Sequence, residues 1–228
     1  AGRGGAAAGQ RRELRGGDKP ACPEVRPAQS VDLRRFISQS WFAQRELTTP
    51  FLAATQHHCV VATYERQGAT NFLDLTWEAN NDQVNGAPVT NVDDRLGQLC
   101  VKPITPSTGE LKIAPCMHRY FGVFDVTSWA HWIVALDRRH YQWAIVATGK
   151  PTIVRSSAPT ECGYMSSETP LNARHSGLWL LTSRPTGEVV DNQVSEMLDV
   201  LKERGIYSGD LVTVQHENCT YDSFNIKR

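Results

Sequence analysis

The sequence predicts an all-β protein, a barrel or sandwich of short antiparallel strands with one helix near its C-terminal end. Three observations predict this fold class. From Cys22 onward, short apolar stretches alternate with turn signals. The composition, with 12 Pro, 17 Gly and 3 Met, favours strands and turns. Helical spacing of apolar residues is convincing in one late segment only.

The predicted elements come after a flexible N-terminal tail at residues 1–20, which are mainly Gly, Ala and Arg and cannot form a core. Residues 21–221 are expected to form one domain with a long loop insertion at 148–176, and residues 222–228 a C-terminal tail. Apolar runs bounded by turn residues predict strands over 41–47, 59–65, 73–78, 96–102, 111–117, 119–126, 132–136, 143–147 and 178–182.

The predicted helix lies beyond the last of these strands. Its apolar positions recur at helical spacing, at Val190, Val194, Met197, Leu198 and Leu201. Thr186 is expected to cap the start of the helix, and Gly205 to end it.

The charge balance and the motifs narrow the classes of function. With 24 Lys plus Arg against 24 Asp plus Glu, the chain lacks the basic excess of a nucleic-acid binder. No apolar run reaches the roughly 18 residues of a spanning helix, so we expect a soluble globular protein. Nucleotide-binding and hydrolytic motifs are absent from the sequence, and we expect no cofactor. His57, His58 and Cys59 are adjacent on a predicted strand and converge poorly, so no metal is expected.

Six cysteines, at 22, 59, 100, 116, 162 and 219, are dispersed along the chain without any C-x-x-C pair. This pattern predicts disulfides and an oxidising compartment, either secreted, periplasmic or an organelle lumen. One pair can be argued from geometry. Cys100 and Cys116 are equidistant from position 108 in the turn-like run 106–109, so a hairpin there places them directly opposite each other. The other four cysteines are not paired by this argument.

The aromatic residues indicate a binding function. Most of the six Trp are expected in the core. However, an antiparallel barrel of about eight strands has room for one small apolar ligand, and inward aromatic side chains are typical of such a cavity.

Five stretches, taken in order, resemble the lipocalin family and, within it, the branch of apolipoprotein D and the bacterial lipocalins. They are Phe36-Ile37-Ser38-Gln39-Ser40-Trp41-Phe42; Thr48-Thr49-Pro50-Phe51; Cys59-Val60-Val61-Ala62-Thr63-Tyr64; Asp137 and Tyr141 with Trp143-Ala144-Ile145-Val146; and Leu178-Trp179-Leu180-Leu181-Thr182-Ser183-Arg184-Pro185. Gln39 stands where the family has glycine, and one extra residue precedes Arg184. The additional cysteine pair resembles plastid lipocalins of photosynthetic organisms and implies a thylakoid lumen in the chloroplast.

The resemblance implies an eight-stranded up-and-down barrel with the helix packed outside. It implies binding, transport or scavenging of a small hydrophobic molecule such as a lipid, fatty acid, retinoid or carotenoid. Tyr64, Trp179 and, as a weaker candidate, Phe51 are the implied ligand contacts. Trp41 and Arg184 are implied to meet at the closed end, with the guanidinium over the indole, and Asp137 and Tyr141 are structural motif residues. The implied disulfides are Cys22–Cys162 and Cys59–Cys219, which leave Cys100–Cys116.

Two alternative functions stay open. One is an accessory subunit of a larger assembly, such as a photosynthetic membrane complex, with peripheral membrane contact; a barrel filled by bulky side chains would favour it. The other is an enzyme that resembles the xanthophyll de-epoxidases, with Asp125 beside Tyr120 as the acid. No motif specific to those enzymes is present, and we expect a binding protein rather than an enzyme.

Overall fold

The computed structural model describes residues 22–50, 52–91, 97–155, 158–167 and 176–227. The predicted tail at 1–20 and the predicted ligand contact Phe51 lie outside these residues. The strands are β1 Trp41–Glu46, β2 His58–Arg66, β3 Leu73–Asn80, β4 Pro88–Thr90, β5 Leu99–Pro103, β6 Leu111–Pro115, β7 Trp129–Ala130, β8 Trp132–Leu136, β9 Trp143–Ala147, β10 Ile153–Arg155, β11 Ala158–Gly163, β12 Leu178–Thr182 and β13 Val212–Thr213. The helices are α1 Leu33–Phe36, α2 Met117–Tyr120, α3 Phe124–Thr127 and α4 Glu188–Glu203.

The main sheet curls into a nearly closed antiparallel barrel, as the sequence predicts. Its strand order is β7-β6-β5-β3-β2-β1-β12-β9-β8. The ends of this path meet at a seam, where the His131 N–H donates to the Leu111 carbonyl and the Ile133 N–H donates to the Gly109 carbonyl, both at 2.9 Å. A Cβ at Gly109 would collide with the Ile133 carbonyl oxygen, so the seam requires glycine. His131 alone separates β7 from β8 in sequence, which makes them one interrupted strand.

Alternation along the strands divides the barrel into two faces. The inner face carries the largest core cluster, which includes Trp41, Tyr64 and Trp179. The outer face of β9 and β12 packs against α4 through a second cluster, which includes Ile145, Leu180, Met197 and Leu201. The helix outside the barrel is therefore confirmed.

The start of α4 differs from the prediction. Its N-cap is Gly187 rather than Thr186, and no side chain caps it. Gly187 has a φ of 119°, a backbone conformation that glycine adopts without strain. At the other end Gly205, with a φ of 65°, comes directly after Arg204 as predicted for a helix stop.

The predicted strand at 119–126 is wrong, because the chain there forms the two short helices α2 and α3. Gly122, with a φ of 69°, breaks the extended backbone between them. Asp125 is 65% exposed and lies within 2.7 Å of Lys102. The hydrogen bond from that lysine lowers the pKa of Asp125. Asp125 thus lies outside the barrel and cannot supply the buried acid of the enzyme hypothesis.

The six cysteines form three disulfides, Cys22–Cys162, Cys59–Cys219 and Cys100–Cys116, the pairs that the resemblance implies. The geometry of the third differs from the expectation, because Cys100 lies opposite Ala114 rather than opposite Cys116. The Cys116 N–H donates instead to the Gln98 carbonyl at 2.8 Å. The hairpin is centred one residue earlier than predicted, and the bridge runs diagonally across it.

Contacts near both ends of the chain attach the terminal segments to the rest of the domain. The segment predicted as a loop insertion contains the hairpin β10–β11, and Cys162 on β11 carries the bridge to Cys22. In the C-terminal segment, Phe224 is buried. The Lys227 N–H donates to the Ser40 hydroxyl at 2.9 Å. Within the described part of the chain, no helix is both long and apolar enough to cross a bilayer.

Candidate functional site

One end of the barrel is closed by the segment that precedes β1. The Val31 N–H donates to the Ser107 carbonyl at 2.9 Å. The Asp32 N–H donates to the Tyr141 hydroxyl at 2.7 Å. The Trp41 indole N–H donates to the Phe36 carbonyl at 2.9 Å, and the two rings stack at 4.8 Å. These bonds seal this end against a ligand.

The implied contact between Trp41 and Arg184 is not formed. Trp41 is fully buried and its ring stacks on Phe36, whereas Arg184 is exposed. The Arg184 carbonyl accepts a hydrogen bond from the Thr182 hydroxyl at 2.7 Å. The ring that stacks on the Trp41 indole is that of Phe36.

The other motif residues also lie at the closed end. Asp137 accepts backbone hydrogen bonds from Arg139 and His140 at 3.0 and 3.1 Å, which fixes the turn between β8 and β9. Tyr141 ends this turn with a φ of 56°. The Gln39 side chain, which replaces the family's glycine, donates to the Tyr141 carbonyl at 2.7 Å. Asp137, Tyr141 and Gln39 thus stabilise the closed end of the barrel.

Six rings run along the barrel interior as a continuous aromatic column. From the closed end, the successive ring centroids are 4.8, 5.3, 6.0, 6.1 and 5.5 Å apart. The column consists of Trp41, Phe36, Tyr64, His131, Trp179 and Trp77. Two predicted ligand contacts, Tyr64 and Trp179, belong to it, and both are buried by other side chains. Most of the interior between the closed end and Trp77 is therefore packed.

The middle of the column is a neutral polar pair. The Tyr64 hydroxyl and His131 Nε2 are 2.8 Å apart. Burial lowers the pKa of His131 to about 3, and burial also raises the pKa of Tyr64. Neither group carries a charge near neutral pH, as expected for groups so far from water.

A cavity of about 150 Å³ lies at the other end of the barrel, and we call it the mouth cavity. Six apolar and three polar residues line it: Pro50, Leu52, Ala53, Gln56, Trp77, Ala79, Val89, Thr90 and Asn91. Asn91 holds the wall in place, since its side-chain oxygen accepts a hydrogen bond from the backbone N–H of Trp77 at 2.7 Å. An engineered apolar cavity of about this volume binds benzene. The mouth cavity thus has the size of one small ring.

A buried carboxyl group lies on the inner face near the mouth cavity. Glu46 is fully buried, and its Oε1 lies 2.7 Å from His57 Nδ1. His57 Nε2 is 3.1 Å from the Thr48 hydroxyl. Glu46 is directly opposite Trp179 in the β1–β12 pair, so the two side chains share a face of the sheet. Burial raises the pKa of Glu46.

No family model matches the sequence, and no curated protein matches it. Solved structures do match. The cockroach allergen Per a 4 is 14% identical with a TM-score of 0.52, over 90% of this chain and 98% of that one. Lobster apocrustacyanin A1 is 14% identical with a TM-score of 0.48, over 87% and 95%. Japanin from Rhipicephalus appendiculatus, in a structure with cholesterol, is 11% identical with a TM-score of 0.43, over 79% and 94%.

The chain has the lipocalin fold. At these identities the comparison shows the fold alone, and the apolipoprotein D, bacterial or plastid branch stays a prediction. In this lipocalin barrel the motif residues Trp41, Asp137 and Tyr141 serve the closed end, whereas the mouth cavity opens at the other.

Sequence reasoning missed two interior polar residues of the lipocalin barrel, Glu46 and His131. Trp41 faces the interior, and strict alternation along the strand from Trp41 would place Glu46 on the outer face. A β-bulge between Ala43 and Arg45 reverses that alternation and turns Glu46 inward. His131 comes after a strand too short to be predicted and belongs to no quoted motif. The available signal for Glu46 was its own charge, since it is a charged residue near the end of a predicted strand and precedes Leu47 and Thr48.

Proposed function

We propose that the protein binds a small hydrophobic molecule at the open end of its barrel and carries or scavenges it. The mouth cavity, with Trp77 in its wall and Trp179 behind Trp77, is the observation that supports this function. Each Å² of apolar surface that a ligand buries there contributes roughly 25 cal/mol.

The aromatic column limits the size of the ligand. Binding sites for drug-sized molecules are typically about 300–1,000 Å³, and the mouth cavity is about 150 Å³. A fatty acid, retinoid or carotenoid has to displace Trp77 and Trp179 to enter further. Within the hydrophobic class, the geometry favours a compact molecule with one ring.

Titration with toluene and oleate tests this function. In ¹H–¹⁵N spectra each of the six indole N–H signals reports on the surroundings of its own tryptophan, and Trp→Phe variants assign them. We expect toluene to shift the signals of Trp77 and Trp179 but not that of Trp143, whose indole bonds Glu196 outside the barrel. Shifts with oleate alone would contradict the compact ligand, and no shift with either ligand would contradict the binding function.

The compartment belongs to the same proposal. Three disulfides are typical of an oxidising compartment. We propose a secreted, periplasmic or thylakoid-lumen location, where a carrier meets its ligand outside the reducing cytosol. Solvent extraction of the protein from its native source, followed by mass spectrometry, identifies a bound ligand directly.

A second candidate function is peripheral attachment to a membrane or membrane complex, and an exposed apolar surface favours it. This α2–α3 patch is formed by Met117, Tyr120, Phe121, Val123 and Val126, which are 55%, 73%, 72%, 39% and 83% exposed. Arg119 lies within it, over the Tyr120 ring at 5.7 Å. Exposed aromatic residues beside basic ones are typical of surfaces that insert into the headgroup region of a bilayer.

Co-sedimentation with vesicles of phosphatidylcholine and phosphatidylserine tests the α2–α3 patch. We expect the wild-type protein to bind and the double variant Tyr120→Ser, Phe121→Ser to lose most of the bound fraction. Val189→Ser, at a 52% exposed position on α4, is the matched control and should bind as the wild type does. Equal binding of all three proteins, or none by the wild type, would contradict this candidate.

A further inference from the structure

Two buried polar atoms on the inner face have no hydrogen-bond partner among the described residues. They are Glu46 Oε2 and the indole nitrogen Nε1 of Trp179. One is an acceptor and the other a donor. Buried polar groups in folded proteins are nearly always paired, because an unpaired one loses its bonds to water without replacement. Two such atoms on neighbouring residues therefore require an explanation.

The two side chains are neighbours across one strand pair. Glu46 on β1 is directly opposite Trp179 on β12. Directly opposite residues have Cβ atoms about 4.5–5.5 Å apart and project on the same face. His57 does not satisfy Glu46 Oε2, because its two nitrogens already contact Glu46 Oε1 and the Thr48 hydroxyl. The unpaired acceptor and donor thus belong to directly opposite residues on the inner face of the barrel.

Both side chains are held in place before any ligand binds. His57 fixes one end of the Glu46 carboxyl group at 2.7 Å. The Trp179 ring packs between Trp77 and His131, and it lies so close to Gly177 that a Cβ there would collide with it. A preorganised site loses little entropy on binding.

Trp77 separates the mouth cavity from this pair, and neither Glu46 nor Trp179 lines the cavity. Trp77 lines the cavity and its ring centroid is 5.5 Å from that of Trp179. Gln56 lines the cavity too and is the chain neighbour of His57. A ring in the cavity brings its substituent to Glu46 and Trp179 when the Trp77 side chain moves aside.

The chemistry of the pair selects among substituents. A hydroxyl group has one donor hydrogen and two acceptor lone pairs, so it satisfies both unpaired atoms. An ammonium group only donates and leaves the indole N–H unpaired. A carboxylate only accepts and lies beside another carboxyl group, and a methyl group satisfies neither atom.

We propose that this site recognises the hydroxyl group of a compact ring-bearing alcohol or phenol. The hydroxyl donates to Glu46 Oε2 and accepts from Trp179 Nε1–H. This ligand class rests on the proposed binding function and narrows it.

Four ligands that share one ring test the proposal: phenol, toluene, benzylamine and benzoate. We expect phenol to bind at least about tenfold more tightly than toluene, since two hydrogen bonds of ordinary net strength suffice for that ratio. Phenol should also move the Trp179 indole proton downfield, as a new acceptor does, whereas toluene should not. Benzylamine and benzoate should bind more weakly than phenol.

Two variants separate the hydroxyl contacts from simple packing. Trp179→Phe keeps a ring and removes the N–H, and Glu46→Gln keeps the shape and changes the acceptor. Each should reduce the preference for phenol over toluene to about threefold, since one of the two hydrogen bonds remains. Trp143→Phe is the matched control on the outer face, and it should keep the full preference. Thermal unfolding curves show that each variant is folded, and either of the first two suffices for the test.

The outcomes distinguish this proposal from the one on which it rests. If phenol and toluene bind equally well, hydroxyl recognition is overturned and hydrophobic binding stands. If benzylamine binds best, the site recognises a cation instead, and the proposal is overturned. An unchanged preference in both Trp179→Phe and Glu46→Gln also overturns it. If none of the four ligands binds, the binding function itself fails.

Discussion

His131 lies at the centre of the barrel, and its burial makes stability depend on pH. Its pKa is lowered from 6.5 to about 3 in the folded protein. Below pH 6.5 the unfolded chain therefore takes up a proton that the folded protein does not. The free energy of unfolding should fall on acidification from pH 6.5, by up to about 1.4 kcal/mol per pH unit from this residue.

The variant His131→Gln isolates this effect, because glutamine keeps a partner for Tyr64 and does not titrate. Urea unfolding of both proteins from pH 7 to pH 4 measures it. Burial also lowers the pKa of His216, to about 4, and raises that of Glu46, but both groups are present in both proteins. Parallel pH profiles for the two proteins would contradict the assignment.

Gly177 is the residue that leaves room for the Trp179 ring. Its φ of 140° suits glycine, and a Cβ would collide with the six-membered ring of Trp179. We expect Gly177→Ala to move the Trp179 indole signal and to cost about 1–3 kcal/mol of overpacking beyond the backbone strain. Gly68→Ala, at a φ of 57° with open space around it, is the control. It should cost about 1 kcal/mol, and a Trp179 signal that stays in place in Gly177→Ala would contradict the prediction.

Among the interior residues, the sequence predicted those that local patterns determine. Tyr64 and Trp179 were found because each lies in a stretch that resembles a family motif, and their inward direction agrees with strand alternation. Glu46 was not found, because the bulge before Arg45 reverses that alternation and leaves no mark in the residue order. Whether Tyr64 and Trp179 contact a ligand stays a prediction.

At the scale of elements, the seam between β6 and β8 is where the barrel closes. Two backbone hydrogen bonds join these strands at 2.9 Å, and Gly109 lies against the Ile133 carbonyl. The Ile133 carbonyl cannot move aside as a flexible side chain can, so the Cβ added in Gly109→Ala should break the hydrogen bonds of this seam. We expect a loss of about 1–3 kcal/mol and faster hydrogen exchange at the Ile133 amide.

Gly122→Ala supplies the control for the seam. Gly122 lies between α2 and α3 with no atom within 4 Å of an added Cβ. It should lose stability through backbone strain while the Ile133 amide keeps its protection. Equal exchange at Ile133 in Gly109→Ala and the wild type would contradict a seam held by these bonds.

The elements were predicted best where burial is continuous. The strands at 132–136, 143–147 and 178–182 have the observed bounds, since every residue of β9 and β12 is buried and the apolar run is unbroken. The prediction for segment 119–126 failed because its apolar residues suggest a strand, yet most of them are exposed in and between α2 and α3. Apolar composition alone does not show whether a segment pairs with a neighbouring strand.

At the scale of the whole molecule, the disulfides stabilise more when the loops that they close are longer. Cys59–Cys219 spans 160 residues and Cys100–Cys116 spans 16. The chain-entropy relation gives about 5 kcal/mol for the first and about 3 kcal/mol for the second. Paired Cys→Ala variants, measured by urea unfolding, should lose stability in that order. The reverse order would contradict a stabilisation that arises in the unfolded chain.

The same spacings set an order of events while the chain is synthesised. At roughly 5–20 residues per second, Cys116 emerges within about 1–3 s of Cys100, because 16 residues separate them. Cys219 emerges only about 8–32 s after Cys59 at that rate, because 160 residues separate them. The short bridge can therefore close first, and it removes two thiols before the distant partners emerge. The number of pairings then falls from fifteen to three, which makes Cys100–Cys116 a safeguard against misoxidation of the growing chain.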